Sequence, residues 1–218
     1  MNCLVTAGPT FEPLDAVRRL TNFSTGRLGT ELANSLADHG HFVTLLIGEQ
    51  ATWSGPRRAQ EIGIFSTSAD LQDRLRTLAN PSVDAVFHAA AVGDFAFGQV
   101  WLRRAEGEMV SVKSGKLSTR EGALLAELIP TPKILPQLRG WFPRARIVGW
   151  KFEVDGDPAG VLELARRQLA EGRTDACVVN GPAYGPGFGL VTPTGHAPWA
   201  DAGALFVALE KFASEPPG

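Results

Sequence analysis

Continuous apolar runs alternate with amphipathic segments through the first half of the chain. Residues 2–8 and 42–47 are apolar and β-branched without alternation, as in strands that are buried on both faces. Between them, apolar and small residues recur at helical spacing over 26–38, and Gly40 supplies a helix stop. Strand, helix and strand in this order predict a right-handed βαβ unit, and therefore a parallel sheet.

The alternation continues to the end of the chain with one interruption. Glycines, mixed charges and a short alternating stretch over 98–121 predict a hairpin followed by a mobile loop, which together form a small flap. The sequence thus predicts an α/β fold, in which a Rossmann-like, mostly parallel sheet carries helices on both faces, in a single domain spanning 1–218. Further helices are predicted over 68–78 with Ser68 as N-cap, 132–138, 158–171 and 202–212, and further strands over 83–91, 146–152, 176–179 and 190–194.

Composition and charge exclude several classes of partner. The chain has a formal net charge of −2, and its basic residues are dispersed, so a nucleic-acid groove has little electrostatic support. Cys3 and Cys177 both lie in apolar runs, which is typical of free core thiols in a reducing compartment. With no membrane-length apolar stretch and no signal-like start, we expect a cytoplasmic protein without a membrane partner.

The carboxyl ends of the parallel strands are the expected position of a ligand crevice. The turns after Ala7, Ala91, Phe152 and Val179 should converge there. Residues 21–29 lead into the first helix, whose free N–H groups and positive dipole end attract phosphate. An alternative stays open, in which residue 25 merely caps the helix and the glycines serve only helix–strand packing.

An insertion separates the first strand from the first helix, whereas a plain dinucleotide fold turns directly. Together with ordered motifs along most of the chain, this insertion resembles the phosphopantothenate–cysteine ligase family, also called phosphopantothenoylcysteine synthetase, of coenzyme A biosynthesis. The motifs are Gly8-Pro9-Thr10, Asn22-Phe23-Ser24-Thr25-Gly26-Arg27-Leu28-Gly29, Ala89-Ala90-Ala91-Val92-Gly93-Asp94, Lys116-Leu117-Ser118-Thr119, Thr131-Pro132-Lys133, Val148-Gly149-Trp150-Lys151-Phe152-Glu153 and Val178-Val179-Asn180.

The resemblance implies a reaction and its small-molecule partners. The family joins 4′-phosphopantothenate to cysteine through an acyl-nucleotide intermediate formed from CTP or ATP with Mg²⁺, and its members are usually homodimers with a Rossmann-like fold. This sequence corresponds to a stand-alone form without the flavin-dependent decarboxylase domain that is fused to it in many bacteria. Arg167 stands where bacterial members carry lysines, and this departure leaves the choice between CTP and ATP open.

By resemblance, Asn22 is the first candidate catalytic residue, because its amide can hold the carboxylate or acyl oxygen. Lys116 is the second, as a cation that offsets charge on the phosphates, and Lys113 competes for that role. Asn180 is expected to line the pocket of the intermediate together with Asn22, and no metal ligand is assigned. The nucleotide-binding candidates are Gly8, Ser24, Gly26, Gly29, Ala89, Ala90, Asp94, Lys116, Trp150 and Arg167.

Two other functions fit parts of the same pattern. An NAD(P)-dependent oxidoreductase is suggested by Glu49, which follows Gly29 by about twenty residues, the usual interval to a ribose-binding acid. Against it, the first turn lacks a full Gly-x-Gly-x-x-Gly, and Tyr184 is followed four places later by Phe188 rather than by lysine. The third reading is a non-catalytic nucleotide-binding module, against which Asn22 and Lys116 argue.

Overall fold

The structure, a computed structural model, describes residues 1–118 and 122–215. Its elements follow one another as α/β units with an antiparallel insertion. In chain order they are β1 (Asn2–Ala7), β2 (Phe11–Pro13), β3 (Arg19–Thr21), α1 (Arg27–Asp38), β4 (Phe42–Gly48), β5 (Glu61–Phe65), α2 (Ser68–Thr77), β6 (Ala85–His88), β7 (Phe95–Arg103), β8 (Met109–Ser111), β9 (Ala123–Pro130), α3 (Leu135–Trp141), β10 (Arg146–Phe152), α4 (Pro158–Gly172), β11 (Ala176–Asn180), β12 (Phe188–Thr192), β13 (Gly195–Trp199) and α5 (Ala202–Ser214).

The central sheet has the strand order β13-β12-β11-β10-β6-β1-β4-β5. All pairings from β11 to β5 are parallel, whereas β12 and β13 join antiparallel at one edge. The strands β1 and β6 lie at the centre, which explains why their sequences are continuously apolar rather than alternating. The prediction of a mostly parallel, Rossmann-like sheet is confirmed.

Helices cover both faces of the sheet, as predicted. Helices α1 and α5 pack on one face, where Leu32 and Leu209 join the buried side chains of β1 and β4. Helices α2 and α3 pack on the other face around Phe65 and Leu138, and α4 covers β11 and β12 on that same side. Within residues 1–118 and 122–215, no helix has the length and apolarity needed to cross a bilayer.

The flap is larger than predicted. It is a three-stranded antiparallel sheet with the order β8-β7-β9, so the predicted hairpin is joined by a third strand that the sequence analysis missed. Residues 119–121 of the predicted flap lie outside the described residues. Strands β5 and β13, which form the two edges of the central sheet, were missed as well, because each is only five residues long and glycine interrupts its apolar residues or begins it.

Several predicted boundaries were wrong. Helix α3 spans Leu135–Trp141 rather than 132–138, and β12 spans Phe188–Thr192 rather than 190–194. Two further differences concern α2 and β6. The N-cap of α2 is Thr67, whose Oγ1 accepts the Asp70 N–H at 3.1 Å, while the Ser68 N–H donates to the buried Glu12 carboxylate at 2.9 Å. Strand β6 begins at Ala85 and ends at His88, and the Ala89 N–H makes a further bond to β1 by donating to the Thr6 carbonyl at 3.2 Å. The predicted strand over 83–91 is therefore shorter.

Candidate functional site

Three glycines bring the end of β1 and the start of α1 into close contact. Gly8 and Gly26 have φ values of 79° and 80°, which L side chains rarely adopt. A Cβ on Gly26 would lie 2.9 Å from the Ala51 Cβ, and one on Gly29 would lie 2.7 Å from the Ala7 Cβ. Gly29 therefore permits close helix–strand packing, while Gly8 and Gly26 shape the turn itself. A role of these three glycines in nucleotide binding stays a prediction.

The amino end of α1 has the character of an anion site. Its N-cap is Gly26 with no side-chain cap hydrogen bond, and no acidic residue lies in the first turn. Thr25 contributes only partly, because its Oγ1 accepts the Arg27 N–H at 3.3 Å. Ser24, half-buried, precedes this turn. Helix N–H groups and the dipole end thus face the carboxyl edge of the sheet without a carboxylate to neutralise them.

The segment after β6 is fastened to the end of β1. The Ala90 N–H donates to the Thr6 Oγ1 at 3.1 Å, and the same Oγ1 lies 2.9 Å from the buried His88 Nδ1. The Ala91 N–H donates to the Gly8 carbonyl at 2.9 Å. Burial lowers the pKa of His88 to about 4, so this histidine is neutral at pH 7. Ala89 and Ala90 are consequently held beside the glycine turn.

Asn22, which follows β3, contacts the same edge of the sheet. Its Nδ2 donates to the Ala91 carbonyl at 3.1 Å, and that carbonyl also accepts the Thr10 N–H at 3.1 Å. Asn22 is exposed, and so is the neighbouring Phe23 ring. The structure therefore brings Asn22 together with Gly8, Gly26 and the alanine segment, as the sequence predicted.

Lys116 lies on a loop that contacts the β2–β3 hairpin, which leads directly to Asn22. The Ala16 N–H in the hairpin turn donates to the Gly115 carbonyl at 3.0 Å. The side chains of Lys116 and Lys113 are both exposed. Lys113 stands only two residues beyond β8, whereas Lys116 is next to the docked backbone.

Asp94 has a cationic partner that the sequence analysis did not assign to the site. Its carboxylate forms an ion pair with the Lys133 ammonium, and both side chains are about two-thirds exposed, at 68% and 64%. The Asp94 carbonyl accepts the Thr131 N–H at 3.0 Å. Lys133 belongs to the Thr-Pro-Lys motif, so the signal was present in the sequence without an indication of its partner.

The end of β10 supplies one half-buried aromatic side chain and one ion pair. Trp150 is half-buried and packs against the core under α1 and α5, and its Nε1 is buried without a hydrogen-bond partner among the described residues. Lys151 and Glu153 form an ion pair at 3.0 Å. The Asn180 carbonyl accepts the Glu153 N–H at 3.1 Å, which fixes the end of β11 beside that of β10.

Arg167 is not joined to the glycine turn by any contact among the described residues. It lies on α4 and lines a groove with Asp155, Gly160 and Val161. Its guanidinium lies 3.9 Å from the Glu171 carboxylate, and both side chains are largely exposed. Its role in nucleotide binding stays a prediction.

The described residues provide no dedicated metal cage. No group of three or more His, Cys, Asp or Glu side chains is placed to hold a metal ion in residues 1–118 and 122–215. A magnesium ion that enters with a triphosphate takes most of its ligands from phosphate oxygens and water, so it does not require such a cage.

A family model and several known proteins match most of the chain. The family model described as the C-terminal domain of DNA/pantothenate metabolism flavoprotein matches residues 1–202. The chain belongs to this family. The bifunctional coenzyme A biosynthesis protein CoaBC of Thermococcus kodakarensis is 31% identical over 178 residues, covering 81% of the chain and 40% of that protein. CoaBC of Mycobacterium tuberculosis is 33% identical over 191 residues, with 85% and 43% covered.

Solved structures have the same fold as this chain. The crystal structure of the DNA/pantothenate metabolism flavoprotein from Streptococcus pneumoniae superposes with a TM-score of 0.84 at 24% identity, covering 97% of this chain and 98% of that one. A Cab2 mutant in complex with phosphopantothenate-cysteine superposes at 0.67 with 19% identity, covering 97% and 87%. The chain spans less than half the length of the two CoaBC proteins.

Proposed function

We propose that this chain is a ligase that joins 4′-phosphopantothenate to cysteine with CTP or ATP as the co-substrate. The observation that carries the proposal is the position of Asn22, whose amide lies at the Ala91 carbonyl beside the uncapped amino end of α1. An amide donor for a carboxylate and a helix end for a phosphate thus occupy one edge of the sheet.

The relatives support the chemistry. The matched family is named for pantothenate metabolism, the CoaBC proteins carry coenzyme A biosynthesis in their names, and Cab2 was crystallised with phosphopantothenate-cysteine. The family model covers the C-terminal domain of its members, which agrees with the partial coverage of CoaBC. The ligase reaction is therefore the activity that we propose for this chain.

In the first step, the phosphopantothenate carboxylate attacks the α-phosphorus of the nucleotide, and pyrophosphate leaves. The acyl carbon is then bonded through oxygen to the nucleotide phosphate. The helix N–H groups near Gly26 would hold the α-phosphate, and the Asn22 amide would orient the carboxylate for in-line attack. Lys116 would offset the negative charge that this encounter concentrates on the phosphates.

In the second step, the cysteine amine attacks the acyl carbon, the acyl–oxygen bond breaks, and the nucleoside monophosphate leaves with one oxygen of the original carboxylate. Asn180, at the end of β11, is proposed to line the pocket of the intermediate. Trp150 is proposed to wall the base, and Asp94 to bind the ribose once it exchanges its contact with Lys133.

Nucleotide, metal and compartment belong to the same proposal. Mg²⁺ would accompany the triphosphate and neutralise part of its charge. Arg167 stays a candidate for base recognition. A contact between its guanidinium and the base would then help to select cytosine or adenine, and so CTP or ATP. The two buried free thiols fit a cytoplasmic setting, where they stay reduced.

A homodimer is supported by exposed apolar surface on the flap. Strand β9 ends the three-stranded sheet, and the side chains of Leu128 and Ile129 are 50% and 42% exposed. An apolar edge strand is an aggregation hazard unless another chain covers it. Light scattering after gel filtration should give twice the mass of 23.3 kDa, and Leu128→Lys should shift the mass toward that of the monomer.

The proposal is tested by following pyrophosphate release with purified protein and Mg²⁺. Release should require 4′-phosphopantothenate together with CTP or ATP, and cysteine should raise turnover because it clears the acyl-nucleotide from the site. If no such pyrophosphate release occurred and the protein instead catalysed hydride transfer with NAD(P)H, the oxidoreductase would be favoured. Nucleotide binding without turnover in the presence of all substrates would instead support a non-catalytic module.

A further inference from the structure

Asp15, in the turn of the β2–β3 hairpin, accepts hydrogen bonds from two separate parts of the chain. Its Oδ1 accepts the Val17 and Arg18 backbone N–H groups at 2.9 and 2.7 Å, which shape the turn. Its Oδ2 accepts the Arg18 Nε–H at 3.0 Å and the Leu117 backbone N–H at 3.1 Å. The second oxygen therefore bridges the hairpin to a loop that lies 102 residues further along the chain.

Arg18 completes the connection to the same loop. Its Nη2 donates both to the Asp15 carboxylate and, at 2.7 Å, to the Leu117 carbonyl. Together with the bond from Ala16 to the Gly115 carbonyl, both polar backbone groups of Leu117 and one of Gly115 bond to the hairpin turn. The residue between them is Lys116.

The geometry around Asp15 favours a persistent contact. Asp15 lies near the surface, but its partners cover the carboxylate so fully that the side-chain exposure is 0%. The Arg18 guanidinium holds the pKa of Asp15 well below its usual range, with help from the three backbone N–H groups. A charged acceptor bound by a planar guanidinium is among the stronger hydrogen-bonded arrangements in proteins.

We infer that Asp15 is a positioning residue, which with Arg18 clamps the 114–117 loop to the hairpin and thereby fixes Lys116 relative to Asn22. The hairpin links the two, because β3 ends at Thr21 and Asn22 follows directly. Thr21 is itself anchored, since its Oγ1 donates to the Thr10 carbonyl at 2.8 Å. This inference rests on the proposed function, in which Lys116 acts on the nucleotide phosphates.

The clamp itself is tested without substrate, by hydrogen exchange measured with mass spectrometry on the whole chain. In Asp15→Asn, the amide of Leu117 and its neighbours should exchange about tenfold faster or more, while the central strands β1 and β10 keep their rates. The matched control is Asp73→Asn, which breaks an exposed ion pair with Arg76 on α2 and should leave the loop unchanged. Arg18→Lys retains the charge but not the fork of donors, so it should loosen the loop as well.

The link to Lys116 is tested by a double-mutant cycle on pyrophosphate release. Asp15→Asn alone should lower kcat/KM for the nucleotide by about tenfold or more, and change it by less than about twofold when Lys116→Gln is already present. Unchanged loop exchange in Asp15→Asn, or full additivity of the two substitutions, would overturn the inference. Failure of the proposed function would be recognised separately, because the wild-type protein would then release no pyrophosphate.

Discussion

The Asn22 amide and the Ala91 carbonyl are 69 residues apart in sequence, and a hydrogen bond of 3.1 Å joins them at the carboxyl edge of the sheet. Ala91 also receives the Thr10 N–H and donates to the Gly8 carbonyl, so the contact ties the hairpin to both central strands. Asn22 is thus hydrogen-bonded to the edge of the sheet rather than free in solvent.

Replacing Asn22 by Asp removes an N–H donor and adds a negative charge beside the incoming carboxylate. We expect kcat/KM for 4′-phosphopantothenate to fall by a factor on the order of 100, since one donor in a site of developing charge contributes that much. Circular dichroism should show the wild-type fold. Asn80→Asp is the matched control, because its Oδ1 only accepts the Ser82 N–H, a role that aspartate retains. Equal rates in both variants would remove Asn22 from the mechanism.

Gly26→Ala and Gly40→Ala together separate backbone strain from steric contact. Both positions have φ near +80°, but a Cβ on Gly26 meets Ala51 at 2.9 Å, whereas nothing lies within 4 Å of one on Gly40. Each variant should lose about 1 kcal/mol from strain, and Gly26→Ala about 1–3 kcal/mol more from overpacking. Urea unfolding measures the difference, and equal losses would show that the close approach of the turn to Ala51 carries no cost.

Lys116→Gln should raise KM for the nucleotide by about tenfold, because a cation near the phosphates is lost. Lys113→Gln removes the same charge three residues earlier and should leave KM within about twofold of the wild-type value. Steady-state kinetics at fixed ionic strength distinguish the two. The reverse order would assign the role to Lys113, and no change in either would leave the loop without a catalytic cation.

Buried His88 predicts how stability depends on pH. Its pKa is lowered to about 4 in the folded chain against 6.5 for the free side chain, so the unfolded chain binds the extra proton first. The contribution of His88 to the free energy of unfolding is complete above pH 6.5 and is lost as pH falls to about 4, by about 3 kcal/mol. His88→Gln should flatten the unfolding free energy over this interval. An unchanged slope would contradict the burial of a neutral imidazole.

The sequence predicted the parts of the fold that repeat a strong pattern. Buried strands such as β1 and β4 are read from continuous apolar runs, and α1 from helical spacing. Strand β9 was missed although most of its residues are apolar, because its apolar residues do not alternate with polar ones. A short apolar segment of this kind does not by itself distinguish a strand from a helix.

Site residues followed a similar division. Asn22, Gly8 and Gly26 lie in local motifs, and their approach to one another follows from the rule that parallel strands end at one edge. The Asp15 clamp and the pairing of Lys133 with Asp94 join distant segments through side chains, and a single sequence contains no signal for such partners. Arg167 was proposed from the resemblance alone. Among the described residues, it has no contact with the other candidate site residues.

Oxygen transfer tests the central claim most directly. With ¹⁸O in the carboxylate of 4′-phosphopantothenate, the proposed route places one labelled oxygen in the nucleoside monophosphate for each turnover, since the amine displaces the nucleotide together with the bridging oxygen. Mass spectrometry of the monophosphate and of pyrophosphate reads the outcome. The predicted result is one labelled oxygen in the monophosphate, none in pyrophosphate, and the other labelled oxygen in the amide of the product. Unlabelled monophosphate, with product still formed, would contradict an acyl-nucleotide intermediate at this site.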